Sequence, residues 1–244
     1  MPEETPSVQT IRDNSKLYIP GAILLGAIII GVALIIGLSH GAGGNSTAGS
    51  GAGLPSAAVN IKDVKLAGEP YVGNPNAPVT MASWEDYQCP FCKQFETATL
   101  PSLMTKYVNT GKLRIVFKDF EFLGSDSTAD GQYARAVWDL YPDKFFAWRM
   151  AIFKQQPQEN SLSAADNKAH LEKITAEIPG LDVRKIETQI AANKAKYDAA
   201  MDADKQEGEN FGINGTPGFI VGTTFIGGAE PLATFTSAID AQLK

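Results

Sequence analysis

The chain has 244 residues, 44% of them hydrophobic, a formal charge of −6 and two cysteines. This length suits one sizeable domain with appendages. Net acidity with no local basic run argues against nucleic acid as a partner. Both cysteines fall within four residues, which leaves none for a structural disulfide framework.

Residues 1–18 carry Arg12 and Lys16 just before an uncharged stretch, 19–38, long enough to cross a bilayer as a helix. The next basic side chain is Lys62. By the positive-inside rule the N-terminus stays in the cytoplasm and the rest lies outside. A cleaved signal peptide would have a shorter apolar core and a small-x-small site directly after it, and Ser39-His40-Gly41 is a poor one. An uncleaved anchor at the cell membrane is therefore expected. Ala22/Gly26, Ala27/Gly31 and Ala33/Gly37 are small pairs at four-residue spacing, a weak signal for packing of two anchors. Residues 39–58 are rich in Gly, Ala and Ser. They read as a flexible linker with a reach of roughly 25 Å.

The soluble domain is expected from 59 to 244. Residues 59–79 are broken by Gly68, Pro70, Gly73, Pro75 and Pro78, which predicts a lead-in loop with a short edge strand near Val64. Residues 79–84 read as a buried strand. A helix follows from Pro90 to about Asn109, with a kink at Pro101 and a stop at Gly111. Residues 113–118 form the next strand. After a loop, Tyr133, Val137, Trp138, Phe145, Trp148, Met150, Ile152 and Phe153 recur at near-helical spacing, interrupted around Pro142. Further helices are predicted at 162–178, stopped by Pro179-Gly180, and at about 182–209. The last part is a hairpin, 219–221 and 224–226, and a closing helix over 231–243. The order is βαβ, a helical insertion over about 124–210, then ββα, an α/β domain.

The two cysteines are Cys89 and Cys92, in Cys89-Pro90-Phe91-Cys92 on the first strand-to-helix turn. Two randomly placed cysteines would fall three apart roughly once in a hundred chains of this length. Pro90 suits the first helical position, making Cys89 the N-cap. Unpaired N–H groups and the positive end of the helix dipole then favour its thiolate. Cys92, one turn further, is expected behind it, under Phe91. A structural disulfide closing so small a loop would remove little chain entropy. A zinc site would need four ligands, and only His40 and His170 remain, singly and far apart. The spacing reads as a redox-active disulfide, Cys89–Cys92, needing no cofactor and no metal.

These residues resemble the DsbA-like branch of the thioredoxin-fold thiol–disulfide oxidoreductases. The resemblance rests on Cys89-Pro-Phe-Cys92, on Gly73-Asn-Pro-Asn-Ala-Pro-Val79, on Lys118-Asp119-Phe120, and on Phe211-Gly-Ile-Asn-Gly-Thr-Pro-Gly218 ahead of a late hairpin. It implies a thioredoxin-like fold in which Pro217 is cis and lies against the cysteine pair. The backbone of Thr216 would then pair with a client segment, strand against strand. One departure is Ser83, six residues before Cys89, where the branch often carries a buried glutamate. Glu85 lies two residues on, on the same face if the strand continues. Either Glu85 or a water held by Ser83 would take the proton of Cys92. Alternatively Glu85 and Asp86 are solvated loop acids, the slightly favoured reading.

The resulting expectation is an enzyme that forms or reshuffles disulfides in exported proteins with cysteines, served by a membrane or soluble redox partner. Pro-Phe between the cysteines brings no charge to the Cys89 thiolate, which predicts a less oxidising protein than relatives with histidine there. A non-enzymatic holdase or assembly factor and a Cu(I)-delivery thiol protein are the alternatives.

Overall fold

The computed structural model describes residues 59–158 and 161–244. The expected segments 1–18, 19–38 and 39–58 lie outside the described residues. Among the described residues no helix is long and apolar enough to cross a membrane.

The lead-in differs in detail from expectation. It holds a 3-10 turn, Ile61–Asp63, capped by the Asn60 side chain, and the edge strand β1 is Tyr71–Val72 rather than a segment near Val64. Val64 is instead a buried apolar contact on the back of the sheet. Strand β2 is Val79–Glu85 and β3 is Leu113–Asp119. Each extends one residue past the predicted end. That extra residue is a carboxylate in both, Glu85 opposite Asp119.

Helix α1 starts as Pro90–Gln94, widens into a π segment at Phe95–Thr99, tightens over Leu100–Leu103 and widens again at Met104–Val108. Pro101 has no N–H and its ring crowds the carbonyl four residues back. The wide turn before it relieves that contact, so the expected kink takes the form of π segments. The insertion comprises α2 (Ser125–Leu140), α3 (Pro142–Lys154), α4 (Ala164–Ala176) and α5 (Val183–Asn210). Pro142 ends the aromatic run as one helix and opens the next. Ser163 and Asp182 cap α4 and α5 through their side chains. Strands β4 (Gly218–Val221) and β5 (Thr224–Gly227) form the hairpin, and α6 (Leu232–Gln242) closes the domain.

The sheet order is β1-β3-β2-β4-β5, with β2 and β3 parallel and the other pairs antiparallel. Strand β2 is central and its side chains alternate between two cores. Met81 faces the larger one, with Phe95, Phe117, Phe219 and Phe235. Ala82 and Trp84 face the smaller one, with Val59, Phe120, Ile213 and Ile220. Ser83 and Glu85 share the Met81 face.

The insertion is fastened to the back of the sheet by Trp84 and a buried ion network. Trp84 is fully buried and its Nε1 donates to the Asp204 carbonyl at 2.9 Å. Lys118 pairs with Asp204, with Glu207 at 3.0 Å and with Glu69 at 3.5 Å. Arg135 binds Asp119 at 2.5 Å, Asp204 at 2.6 Å and Glu69 at 3.2 Å. Buried ions of this kind are tolerated only when paired and hydrogen-bonded. Helix α5 approaches closely enough for this because residue 208 is glycine. A Cβ there would stand 2.9 Å from Trp84 Cδ1 and 3.0 Å from its Nε1. Overpacking of this order costs about 1–3 kcal/mol, against about 1 kcal/mol gained from alanine's helix propensity. The rigid ring puts Gly208→Ala at the upper end. A lower urea midpoint with unchanged slope is the expected result; an unchanged or higher midpoint would show that the indole shifts freely.

Candidate active site

The turn before α1 places Cys89 at the N-cap, with φ −76° and ψ 122°, and Pro90 at the first helical position. The backbone N–H groups of Phe91 and Cys92 face the Cys89 sulfur, and the Cys92 thiol donates to it. As a thiol, Cys89 donates to the Thr216 carbonyl at 3.4 Å. The nearby Thr216 hydroxyl, which has no partner among the described residues, favours the thiolate. The Thr216–Pro217 peptide is cis. The Cys92 hydrogen bond leads these effects, and against the opposing effect of burial they bring Cys89 down to about 6. Cys92 is fully buried. Burial pushes its thiol well above the ordinary range, aided by Cys89 and by the charge of Glu85.

Phe91 is 59% exposed and does not cover Cys92. At the second position of the first helical turn its side chain points outward, so the expected cover is corrected. Glu85 and Asp86 are not solvated acids either. They are 2% and 0% exposed. The physical reason is the extra strand residue, which carries Glu85 into the larger core instead of into the loop. Ser83 donates through Oγ to Glu85 Oε1, so the serine at the departing position supports the displaced acid.

Glu85 does not stand alone. Arg149 of α3, 2% exposed, reaches between β2 and α1. Its NH2 donates to Glu96 Oε1 at 2.9 Å and its Nε to the same oxygen at 3.2 Å, and NH2 forms an ion pair with Glu85 Oε1 at 2.9 Å. NH1 donates to the Tyr87 hydroxyl at 3.0 Å. The guanidinium stacks 4.0 Å from the centre of the Phe117 ring. Glu96 is raised to about 8, by burial first, with Arg149 opposing and Glu85 adding. Arg149 and Glu96 were not singled out from the sequence. Each is a charged residue inside an apolar stripe, Glu96 beside Phe95 and Arg149 between Trp148 and Met150, and that interruption was the available signal.

The turn itself is held by amides and a carboxylate. Asp86 accepts from the backbone N–H groups of Gln88 at 2.8 Å, Phe122 at 3.0 Å and Leu123 at 3.2 Å. Gln88 donates to Asp130 at 2.5 Å, and Asn167 to the other oxygen of Asp130 at 2.9 Å. Gln156, just past α3, donates to the carbonyls of Tyr87 at 2.7 Å and Cys89 at 3.0 Å. A cleft of about 370 Å³ lies beside Thr216, Pro217 and Phe225, and another of about 570 Å³ beside Pro90, Lys93 and Gln156. Among the described residues no group of three or more His, Cys, Asp or Glu side chains stands close enough to hold a metal ion.

A family model described as Thioredoxin matches residues 65–241. The chain belongs to the thioredoxin family. Within that family it is similar to disulfide bond formation protein D of Bacillus subtilis (strain 168), 25% identical over 188 residues that cover 73% of this chain and 79% of that protein. The solved structure of oxidised BdbD from Bacillus subtilis matches with a TM-score of 0.66 at 22% identity, covering 73% of this chain and 95% of that one. The thiol-disulfide exchange protein alpha-DsbA2 from Wolbachia pipientis matches with a TM-score of 0.62 at 26% identity, covering 71% and 86%. The thioredoxin-like α/β fold with a helical insertion is thus shared.

The unequal sulfurs lead to a direct test. A brief iodoacetamide pulse on the reduced protein near pH 6.5 should label Cys89 and spare Cys92, as read by peptide mapping. Label chiefly on Cys92, or on neither until alkaline pH, would contradict the geometry. Between pH 6 and the ordinary thiol range near 9 the folded protein binds fewer protons at Cys89 than the unfolded chain. The Cys89 contribution to stability is therefore present above that range and is lost as pH falls through about 6.

Proposed function

We propose that this protein thiol–disulfide oxidoreductase works outside the cytoplasm on exported proteins with cysteines. Residues 19–38 tether it to the membrane with the N-terminus inside, 39–58 serve as the linker, and 59–244 form the catalytic domain. Cys89 and Cys92 are the redox pair. The observation that carries this reading is the pair's inequality, one sulfur held as a thiolate at a helix start and the other buried as a thiol. The relatives are a disulfide bond formation protein and a thiol-disulfide exchange protein, which supports the same chemistry here.

In the oxidised state a client thiolate attacks Cys89 Sγ. The Cys89–Cys92 bond breaks and Cys92 leaves as a thiolate that takes up a proton. A second client thiolate then attacks the client sulfur of the mixed disulfide, and Cys89 leaves as its stabilised thiolate. Two electrons have passed from the client dithiol to the pair. A redox partner, soluble or in the membrane, removes them by the same exchange in reverse. In the other direction Cys92 attacks Cys89 in the mixed disulfide and releases the client reduced. Pro90 starts the helix, and exposed Phe91 offers apolar contact to the client. Thr216 and Pro217 supply the wall against which a client strand lies. Glu85 is the proton acceptor for Cys92.

A Cys92→Ala variant keeps the attacking sulfur and removes the resolving one. It should accumulate mixed disulfides with exported proteins, seen as reducible high-mass species, and a further Cys89→Ser change should abolish them. Full function retained by a Cys89→Ser variant would favour a holdase instead. Direction is set by how strongly the Cys89 thiolate is held. A value of about 6 lies nearer the roughly 7 of thioredoxin than the roughly 3.5 of DsbA. Equilibration with glutathione buffers should give a potential between those two proteins and on the thioredoxin side; one as oxidising as DsbA would contradict this.

A further inference from the structure

The acids beneath Cys92 are two, and they share one cation. Glu85 comes from the end of β2, Glu96 from α1, one turn beyond Cys92. Both Oε1 atoms lie 2.9 Å from the same nitrogen, Arg149 NH2. Both Oε2 atoms are buried and have no partner among the described residues. All three side chains are at most 2% exposed. With both carboxylates ionised the cluster would bury a net negative charge and two unsolvated oxygens, which a dry site opposes strongly. With one proton the cluster is neutral. Two carboxyls held this closely retain a proton between them.

We propose that Glu85 and Glu96 hold a single proton between them over Arg149, and that Glu96 is a positioning residue that keeps this proton available to Cys92 through Glu85. This rests on the Cys89–Cys92 exchange proposed above and deepens it. The Cys92 sulfur accepts the backbone N–H of Asp86, next to Glu85, and feels the charge of Glu85 directly. When a client thiolate opens the Cys89–Cys92 disulfide, the buried Cys92 thiolate receives the proton that the pair holds, and the pair becomes doubly ionised against Arg149. When Cys92 must attack, its proton passes to the pair through Glu85, and the Cys89–Cys92 bond forms as the client thiolate leaves. A pair carrying one proton of two can do both, which a lone carboxylate, fully ionised, cannot.

The groups facing the pair are few. Ser83 of β2, Tyr87 from the turn and Arg149 from α3 are the polar ones, and Phe117 of β3 and Phe153 of α3 cover Arg149 with apolar faces. Cys92 and Cys89 lie on the α1 side, and Asp119 and Glu121 act from beyond Tyr87. Burial holds the Glu96 proton up to about pH 8, with Arg149 opposing and Glu85 adding.

The test separates the two half-reactions in stopped-flow single turnovers with a cysteine peptide on the full chain. The rate of disulfide opening, expressed per peptide thiolate, should fall as pH rises through about 8. Glu96→Gln removes the held proton, since Glu85 is then the one carboxyl facing Arg149. Its opening should be slower by about tenfold or more at pH 7, should lose the break near pH 8, and should be impaired more than peptide release. Glu85→Gln should slow both half-reactions. A cooperative melt and a Cys89 thiolate absorbance midpoint still near 6 show that a variant is folded with its nucleophile intact. Equal slowing of both half-reactions in Glu96→Gln, or an unchanged opening profile, would reduce Glu96 to an ion-pair partner and overturn the inference. If the wild-type chain exchanges no thiol at all, the redox reading itself fails, a distinct result.

Discussion

One guanidinium in the dry interior constrains most of the site. Arg149 enters the space between β2 and α1 from a helix that is not part of the thioredoxin-like core. Its charge is acceptable there only because Glu85 and Glu96 pair with it, Glu96 accepting its hydrogen bonds, and the faces of Phe117, Tyr87 and Phe153 surround it. Any shift of α3 would leave a buried cation and up to two buried carboxylates unpaired, at a cost of several kcal/mol. Position and charge are therefore coupled: the insertion cannot move without changing the electrostatics under Cys92.

The second face repeats the device with different residues. Lys118 and Arg135 lie among Glu69, Asp119, Asp204 and Glu207, joining the lead-in, β3, α2 and α5. Both clusters sit near the carboxyl ends of β2 and β3, where open sheets present their reactive groups. Trp84 and Glu85 are adjacent on one strand and point to opposite faces, one into each cluster. The end of β2 is thus pinned from both sides, and the turn carrying Cys89 starts from a fixed point.

Much of this was legible in the sequence. The helix-start cysteine, the apolar strands, the insertion and the late hairpin each have local signals: Pro90 at the first turn, β-branched residues in 113–118, Pro142 and Pro179 as breaks, Gly222 in the hairpin turn. What was not legible came from long-range pairing. Glu85 and Asp86 looked like loop acids because nothing nearby in sequence neutralises them; the partners are Arg149 and the backbone of Phe122 and Leu123. Phe91 looked like a lid because it is apolar, but helical phase turns it outward. The lead-in strand was misplaced because two residues of β structure, paired only through β3, carry no period to read. Glu96 and Arg149 were visible only as polar interruptions of apolar stripes, and such interruptions acquire meaning as a pair.

The two sulfurs differ because one backbone feature and one side-chain cluster act on them in opposite senses. The helix start concentrates N–H donors on Cys89, and the first helical turn carries Cys92 away from them into the core. Cys92 then meets a negative carboxylate and no solvent, so its charged form is disfavoured twice. The separation also feeds back. A neutral Cys92 thiol can donate to the Cys89 sulfur, and that bond is the leading reason the Cys89 thiolate is favoured. Removing the acids would loosen the hold on the Cys92 proton and thereby weaken the donor on which Cys89 relies. The acidity of Cys89 and the reluctance of Cys92 to ionise are linked through that one hydrogen bond, on which the charge of Glu85 acts from the core.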